Sequence, residues 1–333
     1  MSELVAKAPE NAFLAALYRY RLYIAVAALI LVGFISVPWA LLLLAILLVA
    51  IWCQRALTKL PVYTGLLGKT WFCIYRIFCG LVLLFLIMPI LVIIPLSFNS
   101  EPYFTYPIPG FSLRWYDDFF TRDIWLLAIR NSIIVGFFAT ILATSLGTVA
   151  ALGLSKSNLP FKTLLMGILI SPMIVPLVIT AVGMYFFFSD LGLTNNLIGL
   201  ILAHTALGTP FVVITVTATL VGFDHSLTRA SASLGADPTR TFFKVTMPLV
   251  MPGMISGALF AFITSFDEVV VVLFLAGPEE RTIPRQMWSG IREQISPTIL
   301  AVATVLVVIS ILLLTTLELL RRRNERMRGI KPT

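Results

Sequence analysis

The chain has 333 residues, with 24 Lys and Arg against 16 Asp and Glu, a net charge of +8. Apolar residues make up 59% and charged residues 12%, about half the ~25% of soluble domains, and the mean hydropathy is +0.98. So few charges cannot cover a soluble globule of this size unless lipid covers much of it, which excludes a soluble domain, a disordered chain and a disulfide scaffold.

The N-terminal MSELVAKAPENAF has no short apolar core followed by a small-residue cleavage site, so no cleaved signal peptide is expected. Residues 22–54 form the first stretch free of Asp, Glu, Lys and Arg, with Gly33, Ser36 and Pro38 near its middle. Two arrangements fit it: one long helix kinked at Pro38, or a hairpin of two short helices. Lys7, Arg19 and Arg21 precede it, and Arg55, Lys59, Lys69 and Arg76 follow. Basic flanks on both sides favour the hairpin, because positive residues collect on the cytoplasmic side. Gly65-Leu-Leu-Gly68-Lys69-Thr70 ends like a phosphate-binding loop, but the motif needs Gly where Tyr63 stands. ATP binding by this chain is therefore not expected. Cys53, Cys73 and Cys79 make no paired motif, and with two histidines, His204 and His225, no histidine metal site is expected.

Six later charge-free stretches are each long enough for one membrane span of about 20 residues. They are residues 77–100, 131–155, 163–189, 191–223, 245–266 and 294–317. The fourth opens with a turn, Leu191 to Asn196, so its helix is expected from about Leu197. With Arg76 inside, the inside loops and tail carry 11 basic residues against 6 in the outside loops. The outside loops also carry eight acids, and the tail RRRNERMRGIK is a cytoplasmic stop beside anionic lipid. The fold class expected is an all-α polytopic membrane protein. Its organisation is an N-terminal extension at 1–70, six core helices at 71–325 and a basic cytoplasmic tail at 326–333.

Most inside loops are short; residues 222–248 are the exception. Ser226 to Leu234 suits a short helix with Ser226 as its N-cap, and Gly235 is placed to end it. Asp237-Pro238 reads as a turn from which a second short helix starts. Such a helix–Gly–helix element suits a docking surface or an amphipathic loop lying on its own bundle.

The order Ala230, Gly235, nine residues, Val245-Thr-Met-Pro248 resembles the EAA motif of ABC importer permeases, E-A-A-x-x-x-G, nine residues, I-x-L-P. Ala230, Gly235 and Pro248 match it, and Val245 and Met247 are conservative changes. Arg229 stands where that family has Glu, reversing a charge, and Ser231 stands at the second Ala. The resemblance covers roughly residues 75–325. It includes PLSFNS closing the first core helix, Arg130-Asn131-Ser132, Ser171-Pro172 to Val175-Pro176, and Gly277-Pro278 to Ile295-Ser296-Pro297. The spermidine/putrescine permeases are the most similar subgroup, through His204-Thr205, Pro210-Phe211 and the acids after Ser265-Phe266.

The resemblance implies the six-helix type I importer core. It implies ATPase coupling through Arg229, Ala230, Ser231, Gly235, Ala236, Val245 and Pro248. It implies a second permease subunit (a similar chain or a copy), two ATP-binding subunits and an external solute-binding protein, in the bacterial inner membrane. ATP and Mg would be used by the partner ATPase, with no cofactor, catalytic residue or metal on this chain and no nucleic-acid partner. The solute implied is a polyamine or another small organic cation. Relatives for opines, thiamine, phosphonates or ferric ion keep that choice open.

Asp267 and Glu268 interrupt an otherwise apolar helix. Charges inside a membrane are costly and usually face a cavity or a partner. Counted from Pro252, Asp267 lies in the external part of the span, and neighbours about 100° apart cannot point the same way. One reading is an acidic station for a cation, formed by Asp267 and Glu268 with Ser265 and His204. The other is a structural ion pair with Arg281 or Arg285, or contact with a binding protein. A proton- or Na⁺-driven transporter using these acids is the competing class. His204 suits either the path or a bond within the bundle. Pro172, Pro176, Pro210 and Pro252 are expected to be kinks or helix starts, and Gly253 and Gly257 to pack helices closely; Trp115, Tyr116 and Trp125 suit an interface anchor, the default, or contact with a binding protein.

Overall fold

A computed structural model describes residues 65–155, 159–224, 226–293 and 296–327. The hairpin or single span expected at 22–54 lies outside them, as do His225 and the last six residues. The chain divides into two compact units, 1–89 and 90–333. Helix α1, Leu66–Leu96, begins in the first. Its only charges are Lys69 and Arg76, and it is apolar on all sides, as a lipid-facing helix must be.

The regular secondary structure among the described residues of the second unit is helical, apart from an isolated antiparallel bridge between Asn99 and Phe111. Its helices are α2 Arg114–Thr121, α3 Asp123–Leu154, α4 Lys162–Ile174, α5 Leu177–Asp190 and α6 Leu197–Val221. They continue with α7 Ser226–Ser233, α8 Pro238–Thr241, a π turn Phe242–Thr246 and α9 Met247–Asp267. The chain ends in α10 Val270–Leu275, α11 Ile283–Glu293 and α12 Thr298–Met327. Among the described residues, five helices are long and apolar enough to cross a membrane, with α8, the π turn and α9 counted as one. The turn expected before Leu197 is present, and the Asn196 side chain caps α6 by accepting from Ile198 N at 2.9 Å.

The third expected span is not one helix. α4 and α5 meet at 103°. Val175 is extended (φ −66°, ψ 136°), as a residue before proline prefers, and Pro176 has no N–H with which to continue the helix. Periodicity does not register this break, because both arms are apolar.

α6 is the centre of the bundle, between α3 and α9. Among lipid-soluble helices the apolar effect gives no net pull, so close approach at small residues supplies the contact. Gly253 and Gly257 do what their spacing predicts. A Cβ on Gly257 would sit 2.8 Å from the Val212 Cα, and one on Gly253 would sit 2.9 Å from the Thr215 carbonyl oxygen. Gly208 faces the Ala261 methyl and Gly147 faces Val212 in the same way. The buried Val212, Val216, Val250 and Ala261 fill this contact. A second apolar cluster joins α5, the first half of α6 and α10 through Ala181, Leu200, Val271 and Leu275.

Candidate functional site

At one end of the bundle the three segments expected outside lie together. Buried Asn131 donates its amide to the carbonyls of Glu279 (2.7 Å) and Arg281 (3.1 Å). Ser132 Oγ accepts from Ile283 N at 2.8 Å. Asn195 N donates to Leu275 O at 2.8 Å, and Thr298 donates to Asp118 at 2.8 Å. The Arg130-Asn131-Ser132 sequence therefore does not start a helix; α3 already begins at Asp123. Its polar pair pins the last loop, a role the sequence did not reveal. The available signal was two hydrogen-bonding side chains just inside an apolar run.

The tryptophans depart from the interface-anchor expectation. Trp115 is buried and donates to Asn99 O at 2.6 Å, while Trp125 packs edge-on against Phe119 at 5.6 Å. Tyr116 shares a 2.6 Å hydrogen bond with Ser97.

The acids do not interrupt a continuous helix either. α9 ends at Asp267, and Glu268 is extended (φ −72°, ψ 123°). From Met247, Asp267 is the twentieth step along the helix, about 30 Å at 1.5 Å per residue. Asp267 is exposed, whereas Glu268 is buried and its Oε1 accepts from Val271 N at 2.9 Å, capping α10. The Arg281 and Arg285 ion pairs weighed from the sequence are replaced by other bonds. Arg285 donates to the carbonyls of Ala276 (2.7 Å) and Gly277 (2.6 Å), and Arg281 to Pro278 O and the Gln286 side chain. Burial first, then neighbouring Arg281, lowers the Arg285 pKa below the usual arginine value, against an opposing pull from Glu280.

His204 is 1% exposed, and its Nδ1 lies 2.7 Å from Ser265 Oγ, tying α6 to the last turn of α9. Its Nε2 has no partner among the described residues. The structure thus joins His204 with Ser265, and separates exposed Asp267 from buried Glu268.

At the loop 222–248 the expected helix pair forms. Gly235 adopts φ +81°, the left-handed conformation that glycine takes without steric cost. Ala236 N bonds to Ser231 O (3.1 Å) and Gly235 N to Ala232 O (2.9 Å), the paired bonds of a Schellman ending. Asp224, rather than Ser226, caps the start: its carboxylate accepts from Ser226 N (2.8 Å) and Ser226 Oγ (2.7 Å). Asp237 caps α8 through Arg240 N at 2.8 Å. Ser231 meets the Thr241 hydroxyl at 2.9 Å and fastens α7 to α8. No residue of α7 is buried, Arg229, Ala230 and Gly235 are exposed, and Leu234 is 88% exposed. Val245 is half-buried in the π turn, and exposed Pro248 follows in the first turn of α9. A proline ring clashes with the carbonyl four residues back, and the widened π turn before it relieves the crowding.

The sequence pattern of binding-protein-dependent transport system inner membrane components matches residues 143–327. The spermidine/putrescine transport system permease protein PotC of Haemophilus influenzae is 32% identical over 248 residues, 74% of this chain and 96% of that protein. PotC of Escherichia coli is 31% identical over 73% of this chain and 91% of its own length. The putrescine transport system permease protein PotI of Escherichia coli is 31% identical over 67% and 81%. A solved bacterial ABC transporter involved in import of the acidic polysaccharide alginate has a chain of similar fold, with a TM-score of 0.62 at 16% identity, covering 78% of this chain and 99% of that one. A structure of a bacterial alginate ABC transporter with a pentasaccharide-bound periplasmic protein gives 0.58 at 14%, covering 77% and 96%. The chain belongs to the inner-membrane components of binding-protein-dependent transport systems, and it is a multi-pass ABC importer permease.

Proposed function

We propose that this permease imports a polyamine, spermidine or putrescine, as the translocation subunit of an ATP-driven complex. It pairs with a second permease, a similar chain or its own copy. Two ATP-binding subunits grip residues 222–248, and an external solute-binding protein delivers the solute to the opposite end. ATP and Mg act on the ATPase, and this chain carries no cofactor. The C-terminus is cytoplasmic, and residues 1–70 are an extension outside the transporting core. The observation that carries this reading is the α7–α8 pair, locally capped at each start and closed at Gly235, with no residue of α7 buried. An element shaped by its own bonds while its surface stays free is built for a partner.

The proposed path for the cation runs past Asp267, the exposed acid, with Ser265 and His204 beneath it and Glu268 holding α10 in place. Carboxylates and aromatic faces suit a chain of amines separated by apolar spacers. The test is reconstitution with the cognate binding protein and ATPase. Replacing Gly235 by Trp should abolish ATPase co-purification while the permease still folds, and unchanged coupling would remove the loop's role. Asp267→Asn should raise the spermidine concentration needed for half-maximal uptake. If both Asp267→Asn and Glu268→Gln transport as before, there is no acidic station. Uptake by the chain without ATPase would mean an ion-driven carrier instead.

A further inference from the structure

Resting on the reading of loop 222–248 as the ATPase-docking element, we propose that the ATP-binding subunit presents an acidic surface opposite Arg229. This is the reverse of the pairing that a glutamate at that position would require. The loop holds two acids and three bases in its described residues from Asp224 to Lys244. Both acids are exposed, but their carboxylates are already engaged as helix caps. Asp224 accepts from Ser226 N and Oγ, and Asp237 accepts from Arg240 N. The bases are not engaged in this way. Arg229, Arg240 and Lys244 are exposed, and none of their side chains makes a hydrogen bond or ion pair with a described residue.

The charges left for a partner to pair are therefore the basic ones, set among exposed Leu227, Leu234 and Phe243. A guanidinium entering a cleft loses its water and needs a carboxylate or a set of carbonyls in return. A basic or neutral apolar cleft would leave Arg229 buried and unpaired, a costly outcome. Anionic lipid is the competing partner for such cations. Arg229 lies on the exposed helix α7, set off by Gly235 from the rod Pro238–Asp267, whereas Arg240 and Lys244 sit in the first turns of that rod. That placement favours the protein partner for Arg229.

The test uses the full-length permease pair in nanodiscs, titrated with the purified ATP-binding subunit of the same transporter. Arg229→Glu should weaken binding about tenfold or more, Arg229→Lys should stay within about threefold, and high salt should shrink the difference. These effects should be equal in neutral phosphatidylcholine and anionic phosphatidylglycerol discs. Equal binding of wild type and Arg229→Glu overturns the acidic surface and leaves docking intact. An effect confined to anionic discs assigns Arg229 to lipid headgroups and also overturns it. A wild-type permease that binds no ATPase in either disc overturns the docking reading and this inference with it.

Discussion

The two ends of the bundle treat irregular backbone in opposite ways. At the end holding residues 275–283, Asn131, Ser132 and the Asn195 amide reach the loop from far away in sequence, beside local bonds from Arg281 and Arg285. At the end holding residues 222–248, local bonds shape the helix pair: Asp224 to Ser226, Ser231 to Ala236, Asp237 to Arg240, and Ser231 to Thr241. The first end is held by the fold. The second would keep its shape with much of the fold removed, and its surface is left over for something else. Non-local pinning makes a firm rim, and local capping makes a transferable handle.

This contrast can be attacked at four strengths. The strongest change strikes the trunk that both ends share. Gly257→Leu places a Cβ within 2.8 Å of the Val212 Cα, and should destabilise the α6–α9 contact by about 3 kcal/mol, lowering the midpoint of thermal unfolding in detergent. An unchanged midpoint would mean the seam is not tight. Asn131→Ala should cost about 2 kcal/mol, since it strips a buried donor from two carbonyls. Hydrogen exchange should quicken at residues 279–283 and stay as it was at 226–241; faster exchange at both would erase the distinction between the ends.

Asp237→Ala should cost about 1 kcal/mol through loss of the α8 cap. Here the exchange pattern should invert, with protection lost at Arg240 and kept at Ile283. Ser231→Ala should have the smallest effect, about 0.5 kcal/mol, since a partly exposed hydroxyl pair is easily replaced by water. If it loosens α7 more than Asp237→Ala loosens α8, then the clasp rather than the caps shapes the pair.

The sequence made the handle legible because its determinants are neighbours. Gly235 after an Ala, Ser and Leu run, and Asp237 before Pro238, announce an end and a start without reference to the rest of the chain. Gly253 and Gly257 were legible for a similar reason, as four-residue spacing marks one helix face. The rim was not legible. Asn131 finds its acceptors 148 and 150 residues away, and no pattern near Asn131 names them. Trp115 was misplaced because an indole at a membrane boundary has a default position in the interface, and only the fold offers it the Asn99 carbonyl instead.

Pro176 and the Asp267–Glu268 pair show an intermediate case. A proline after apolar residues announces a kink or a start, but a turn of 103° also needs α5 to have a separate surface to pack on, here α10. Glu268 lies three residues before the amide it caps, an ordinary helix-start spacing. It escapes notice only because the apolar run on both sides suggests that no helix starts there. Of the candidate site, the loop residues were thus readable in place and kind, while the division of labour between the two acids was not.

The π turn at Phe242–Thr246 preserves a phase. α8, this turn and α9 form one rod from Pro238 to Asp267. A π turn houses one more residue than an α turn, so deleting a single residue from it would restore ordinary winding. Because the turn would still complete about one revolution, that deletion would shorten the rod but keep α8 in phase with the Gly253–Gly257 seam. The surplus residue is therefore absorbed without re-aiming α8, whereas a deletion in the α-wound stretch between Met247 and Gly253 would turn α8, and the Arg229–Leu234 handle before it, by about 100° relative to that seam.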